Sequence, residues 1–421
     1  MLAQRARGRI RDPRFAARDS LPAASAPVVW PEPAWQGRYR ALTAPRDDCT
    51  PLRIALADSA WPVRLRALDL ITPVCAPDDA LAATLRAWID GLPADASRRS
   101  RDSVSWHGAA HAAVALARMR PTEARARIAR LATHRQWQVR RYAARAAGVL
   151  SDTITLRALV RDANDNVKEA AIESLAPLTH HADDSLLLSV LGATGASAAP
   201  AVRAAAIALE GSPRADVAPA ASAAFERWVA RANASERDVR VALLEAAGRP
   251  ANDDRPPPVR VELPQRAVAL ALGDDVRLCV RMSPASGGGS FVVRLRGDVA
   301  PMMAARILAL ARAGYYDGLD WHRVEPDFVI QGGSPGSNEY VGLPQYLRDE
   351  LATLPHPRGT VGMSTRGHDT GDAQWFVNLK DNQRLTRDYT VFAEVVEGMD
   401  VVDGVLEGDV IETIAEVPPR R

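Results

Sequence analysis

Across residues 50–250 the apolar positions recur with helical spacing inside a longer repeat. Each copy has a short polar loop, a Val followed by Arg or Lys, and then an Ala/Leu-rich run. The copies read Val63-Arg64-Leu65-Arg66-Ala67-Leu68, Val139-Arg140-Arg141-Tyr142-Ala143-Ala144, Val167-Lys168-Glu169-Ala170-Ala171, Val202-Arg203-Ala204-Ala205-Ala206 and Val239-Arg240-Val241-Ala242-Leu243-Leu244. From Val63 the steps are 76, 28, 35 and 37 residues, the first being two units of 38. A period of that length built only from helices predicts an α-solenoid, in which Val packs at the start of a helix, Ala permits close approach and the polar residue before Val caps. Three consecutive prolines, Pro256-Pro257-Pro258, then interrupt any helix. Beyond them Val259-Arg260-Val261-Glu262-Leu263 and Val276–Met282 alternate with period 2, as strands do. A helix is predicted from near Pro301 to Ala313, ending at Gly314.

The front copies resemble HEAT repeats. Composition agrees with a chain in two parts: 11 of the 22 aromatic residues follow residue 290 and 18 of the 27 glycines follow residue 250. The expected organisation is an N-terminal segment over 1–45 left from an earlier repeat, a HEAT-like solenoid over 46–252, a Pro-rich linker with a short strand over 253–273, and a β domain over 274–421. The Arg-rich start, Met1–Pro27, has no apolar core of a secretory signal, and it predicts a chain that begins inside an array.

The net charge of +2 argues against nucleic acid as a bulk electrostatic partner, and no apolar run is long enough to span a membrane. The cluster Arg98-Arg99-Ser100-Arg101 reads as solvated loop charge. Cys49, Cys75 and Cys279 fit no zinc spacing. Cys49 and Cys75 flank one helical hairpin and are either a disulfide closing it or two small buried hydrophobes. His107 and His111 share a helix face at metal-ligand spacing, but with Gly108 between them and no third ligand they are read as packing residues. No metal is expected. A periplasmic location is preferred to a cytoplasmic one.

The back third carries the chemistry. Gly314-Tyr315-Tyr316-Asp317-Gly318, Trp321-His322-Arg323-Val324 and Pro326-Asp327-Phe328-Val329-Ile330-Gln331-Gly332-Gly333 are followed by His356–Met363, Asp372–Val377, Asp388–Phe392 and Val395–Asp403. These ordered blocks, spread over about a third of the chain, resemble the cyclophilin family of peptidyl-prolyl cis–trans isomerases, with Trp321 where Phe is usual. The resemblance implies a closed eight-stranded antiparallel barrel with capping helices, and hence a multidomain α + β protein. It also implies isomerisation of X-Pro bonds in proline-containing polypeptide clients, without cofactor.

Arg323 is the expected donor to the amide, Gln331 its orienting partner, and Phe376 a catalytic wall of the groove. Phe328, Val329, Leu385 and Tyr389 are expected to grip the proline ring, and Gln374, Ser364 and Thr365 to contact substrate. Ser364-Thr365-Arg366 departs from the family's Ala-Asn-Ala type segment, and Arg384 stands where cyclosporin-sensitive members carry Trp, so weak cyclosporin binding is expected. The stretch Ser334–Leu347 is shorter and less glycine-rich than usual. The solenoid is expected to hold a protein partner or client. The alternative is a non-catalytic scaffold, or a chaperone, that binds proline-containing segments.

Overall fold

The computed structural model describes residues 28–94, 106–254, 264–352 and 354–417. By internal contacts the chain divides into two units, Pro33–Pro257 with Gly336–Pro344 and Met1–Glu32 with Pro258–Pro335 and Gln345–Arg421. Arg98–Arg101, Pro256–Pro258 and the expected strand Val259–Leu263 lie outside the described residues.

The first unit is helical. Its elements are α1 (Ala34–Ala41), α2 (Thr50–Ala55), α3 (Trp61–Asp69), α4 (Asp79–Asp90), α5 (Trp106–Met119), α6 (Pro121–Leu131) and α7 (Trp137–Val149). Then follow α8 (Thr153–Leu159), α9 (Asp165–Thr179), α10 (Asp184–Val190), α11 (Ala199–Leu209), α12 (Val217–Val229) and α13 (Arg237–Ala246). Helices α3, α5, α7, α9, α11 and α13 pack each on the next, and α6, α8, α10 and α12 each pack on the helix that follows. The recurring Val63, Val139, Val167, Val202 and Val239 are all buried, and the alanines after them allow the close approach of neighbouring helices. Asp78, Asp152 and Asn164 cap α4, α8 and α9 through side-chain oxygens.

In three of the five copies the basic residue after Val also has a repeated task, while Lys168 pairs with Asp165 in its own helix. Arg64 donates to the Asp58 carbonyl, Arg140 to that of His134 and Arg240 to that of Asn233, so each ties its helix to the loop before it. Arg140 also pairs with Asp162 and Arg240 with Asp254. Arg203 differs: its guanidinium lies 4.5 Å from the ring of Tyr340. Residues 336–344 lie among the isomerase-like blocks in sequence, yet belong to the helical unit. Asn166 donates to the Gly336 carbonyl, Asn338 donates to Asn166, and the Ala234 N–H donates to Pro344. Val341 is buried in the helical core.

A disulfide joins Cys49 to Cys75 with their Cα atoms 5.6 Å apart. His107 stacks on Trp106 and His111 meets Asp69 at 2.7 Å, so the two histidines serve different packing contacts.

The second unit holds one eight-stranded antiparallel sheet. Its strands are β1 (Arg277–Met282), β2 (Ser290–Leu295), β3 (Arg323–Glu325), β4 (Val329–Gly332), β5 (Thr360–Met363), β6 (Trp375–Asn378), β7 (Val391–Glu397) and β8 (Ile411–Val417), in the order β3-β4-β6-β5-β7-β2-β1-β8. The expected closed barrel is corrected here to an open one. Strands β3 and β8 form no ladder; the chain before β3 instead meets the chain leading into β8, where Asp320 bridges Val410, the Trp321 N–H donates to the Asp409 carbonyl and the Ile411 N–H donates to the Leu319 carbonyl. Helix α14 (Gln265–Ala271), in a stretch expected to be linker, buries Ala267 and Leu270 and packs on α15 (Pro301–Arg312). Pro301 occupies the first turn of α15, and its free N–H groups are met from a distance by Glu350, which accepts from Met302 and Met303. Residues 28–32 lie along this unit, with Trp30 Nε1 donating to the Val395 carbonyl.

Candidate active site

Strand register assembles the site. In the β3/β4 pair Arg323 faces Gln331; in the β4/β6 pair Gln331 faces Phe376; in the β6/β5 pair Phe376 faces Gly362. One row across four strands thus carries a guanidinium, an amide, an aromatic ring and a glycine. Residues directly opposite in antiparallel strands project to the same side, so the first three share one face. Arg323 Nη1 donates to Gln331 Oε1 at 3.3 Å, and Gln331 itself is buried.

Gly362 ends the row for a steric reason. A Cβ there would stand 2.3 Å from Phe376 Cζ, so the ring lies in the space a side chain would fill.

Beside this row the five residues expected to form the proline pocket come together. Val329, Phe376 and Leu385 are buried against one another, and Phe328 and Tyr389 pack on them as a cluster distinct from the main core. Phe376 and Tyr389 meet edge to face at 5.7 Å. The main core is built instead from Phe291, Tyr316, Trp321, Trp375 and Phe392 with their aliphatic neighbours. Trp321 fills the position where a smaller ring is usual and packs against Trp375 at 4.9 Å. Ser364 and Thr365 lie just past the end of β5, where the Ser364 N–H donates to the carbonyl of the buried Gln374.

A second layer, to which the sequence attached no role, holds the pocket in place. His356 stacks on Phe376 at 6.1 Å between centroids, and its Nε2 is 3.2 Å from the Tyr389 carbonyl. Burial pushes its pKa below the usual 6.5, outweighing the hydrogen bond, so the ring is held neutral. Asn378 reaches Thr360 Oγ1 and His356 Nδ1; Asn382 donates to the Phe328 carbonyl at 3.1 Å and to Asn378 Oδ1 at 2.6 Å. His356, Thr360 and Gly362 sit inside a matched block, but their residue types announce packing rather than chemistry.

Two arginines frame the Phe328 ring, Arg384 at 4.2 Å and Arg323 at 6.0 Å. Among the described residues no three His, Cys, Asp or Glu side chains gather as a metal-binding group, and no helix is long and apolar enough to cross a membrane.

Residues 279–419 match the family described as cyclophilin type peptidyl-prolyl cis-trans isomerase/CLD. A peptidyl-prolyl cis-trans isomerase of Helicobacter pylori is 35% identical over 130 residues, which are 30% of this chain and 80% of the relative. Peptidyl-prolyl cis-trans isomerase B of Bacillus subtilis is 33% identical over 129 residues, 30% of this chain and 90% of the relative. The isomerase ppi1 of Schizosaccharomyces pombe is 36% identical over 118 residues, 27% of this chain and 76% of the relative. All of these matches cover about a third of the chain or less. Through residues 279–419, this chain belongs to the cyclophilin-type peptidyl-prolyl cis–trans isomerases.

Proposed function

We propose that the groove isomerises X-Pro bonds with Arg323 as donor, Gln331 as its orienting partner and Phe376 as the wall behind the twisting bond. The peptide bond resists rotation by about 18–20 kcal/mol because nitrogen lends its lone pair to the carbonyl. Catalysis therefore consists in favouring the twisted state, where that lone pair is localised on a pyramidal nitrogen. A guanidinium that stays charged and holds a fixed fork can donate to that nitrogen only when it develops. Phe328, Val329, Leu385 and Tyr389 grip the proline ring, so that rotation moves the acyl side. Gln374, Ser364 and Thr365 hold the backbone before the proline. No bond is broken, so the reaction needs no nucleophile, general base or cofactor.

The observation that carries this reading is the row Arg323, Gln331, Phe376 beside an apolar cluster separate from the core. A binding-only groove would need the cluster and not the arginine. NMR exchange between the cis and trans forms of a neutral Ala-Pro peptide tests it. The full chain is expected to accelerate exchange, and Arg323→Ala to lower kcat/KM about 100- to 1,000-fold. Full activity in that variant would overturn the assignment.

We further infer that the helical unit is a HEAT-like solenoid that binds a client or partner protein. The stepwise packing of α3, α5, α7, α9, α11 and α13 supports this, as does its hold on the segment 336–344 across three successive repeats. A photo-crosslinker placed in the full chain at the exposed Arg145, or at the exposed Ile154, is expected to capture an unfolded proline-containing client from one of the two positions. Capture from neither would remove this role.

A further inference from the structure

The rim of the proline pocket carries a cation whose placement the isomerisation step does not explain. Arg384 lies on the single turn Gln383–Leu385, next to Leu385, whose side chain is buried in the pocket. That turn is pinned through Asn382: the Leu385 N–H donates to the Asn382 carbonyl, and the buried Asn382 side chain donates to the Phe328 carbonyl. The guanidinium rests over the Phe328 ring at 4.2 Å while the residue remains exposed. Stacking of this kind occupies one face of the guanidinium and leaves its N–H edge open to a carboxylate fork.

The neighbouring charges already have partners or stand apart. Asp327 pairs with Lys380 at 3.1 Å, and Glu325 lies 3.9 Å from Arg323. Arg387 and Asp388 are exposed on the following residues. Among the described residues Arg384 makes no ion pair. It is thus a fixed, solvent-facing cation on the wall that the substrate ring must touch.

We propose that Arg384 makes this isomerase selective for segments bearing Asp or Glu within two residues of the proline, and unfavourable to Lys or Arg there. The inference rests on the groove assignment above and names its substrate class.

The test uses the full chain and three matched peptides that carry Glu, Gln or Lys at one flanking position, taken in turn on either side of proline. Both kcat/KM and peptide affinity are read, the latter by NMR line broadening. At low salt one flanking position should give Glu over Lys by about threefold to tenfold, with Gln between, and the ratio should shrink at high ionic strength. Arg384→Gln should flatten the ratio and Arg384→Glu should invert it. A Glu:Lys ratio near one at every position, or an unchanged preference in Arg384→Glu, would overturn the proposal. Failure to turn over the Gln peptide, with the Glu preference in affinity intact, would overturn the isomerase reading and leave this one standing.

Discussion

At the repeated helix starts of the helical unit a side chain's task follows from its near neighbours in the chain, whereas the row of side chains in the isomerase unit follows from strands that meet only after folding. Val139 is buried because it begins an amphipathic helix, and Arg140 clamps the loop six residues before it. Arg323, Gln331 and Phe376 are eight and then 45 residues apart, and only the register of β3, β4 and β6 puts them side by side. Stability built from local repeats tolerates change piecemeal. A site built from register does not, since a slip of one residue would turn its side chains to the other face.

The largest expected effect separates the two units. Reducing the Cys49–Cys75 bond, or making Cys49→Ser with Cys75→Ser, removes a constraint on a 26-residue span. It should lower the stability of the helical unit by about 3 kcal/mol. Calorimetry with and without reductant measures it, and turnover of a short proline peptide below the transition should not change. Loss of turnover alongside would show that the units do not behave separately.

A pair of glycine substitutions sharpens the contrast. Gly362→Ala drives a methyl into the Phe376 ring and should cost about 1–3 kcal/mol, with a fall of about tenfold in kcat/KM. Gly211→Ala, in the helical unit, meets nothing within 4 Å but has φ of +74°. It should cost about 1 kcal/mol through backbone strain and leave turnover alone. Equal effects on turnover would break the distinction.

The smallest effect is pH-dependent. The unfolded chain protonates His356 near pH 6.5, while burial lowers the folded value, so the unfolded state binds the proton first as pH falls. Stability should therefore drop below about pH 6.5, by at most about 1.4 kcal/mol per pH unit from this group. Denaturant midpoints between pH 5 and 8 test this, and His356→Gln should flatten that part of the profile.

Much of this arrangement was legible before folding. The repeated Val-Arg copies mark buried helix starts, Pro301 marks the start of α15, and the five pocket residues expected from the cyclophilin resemblance do form one cluster. What was not legible depends on distant contacts. Glu350 caps α15 from 48 positions away in sequence. Residues 336–344, within the stretch Ser334–Leu347 that stood out only as short and poor in glycine, join the helical unit through Asn338 and Tyr340. The barrel stays open between its edge strands β3 and β8, and strand alternation alone says nothing of edge pairing. Gly362 and His356 escaped a functional reading because each lies against the Phe376 ring and neither residue type by itself announces chemistry.

As proposed above, register makes Arg323 and Gln331 a single catalytic device. A double-mutant cycle of Arg323→Ala and Gln331→Ala, read as kcat/KM by NMR exchange on a neutral Ala-Pro peptide, tests it most directly. Strong coupling is expected: once Arg323 is gone, removing Gln331 should cost far less than it does in the native protein. Additive losses from the two substitutions would contradict it.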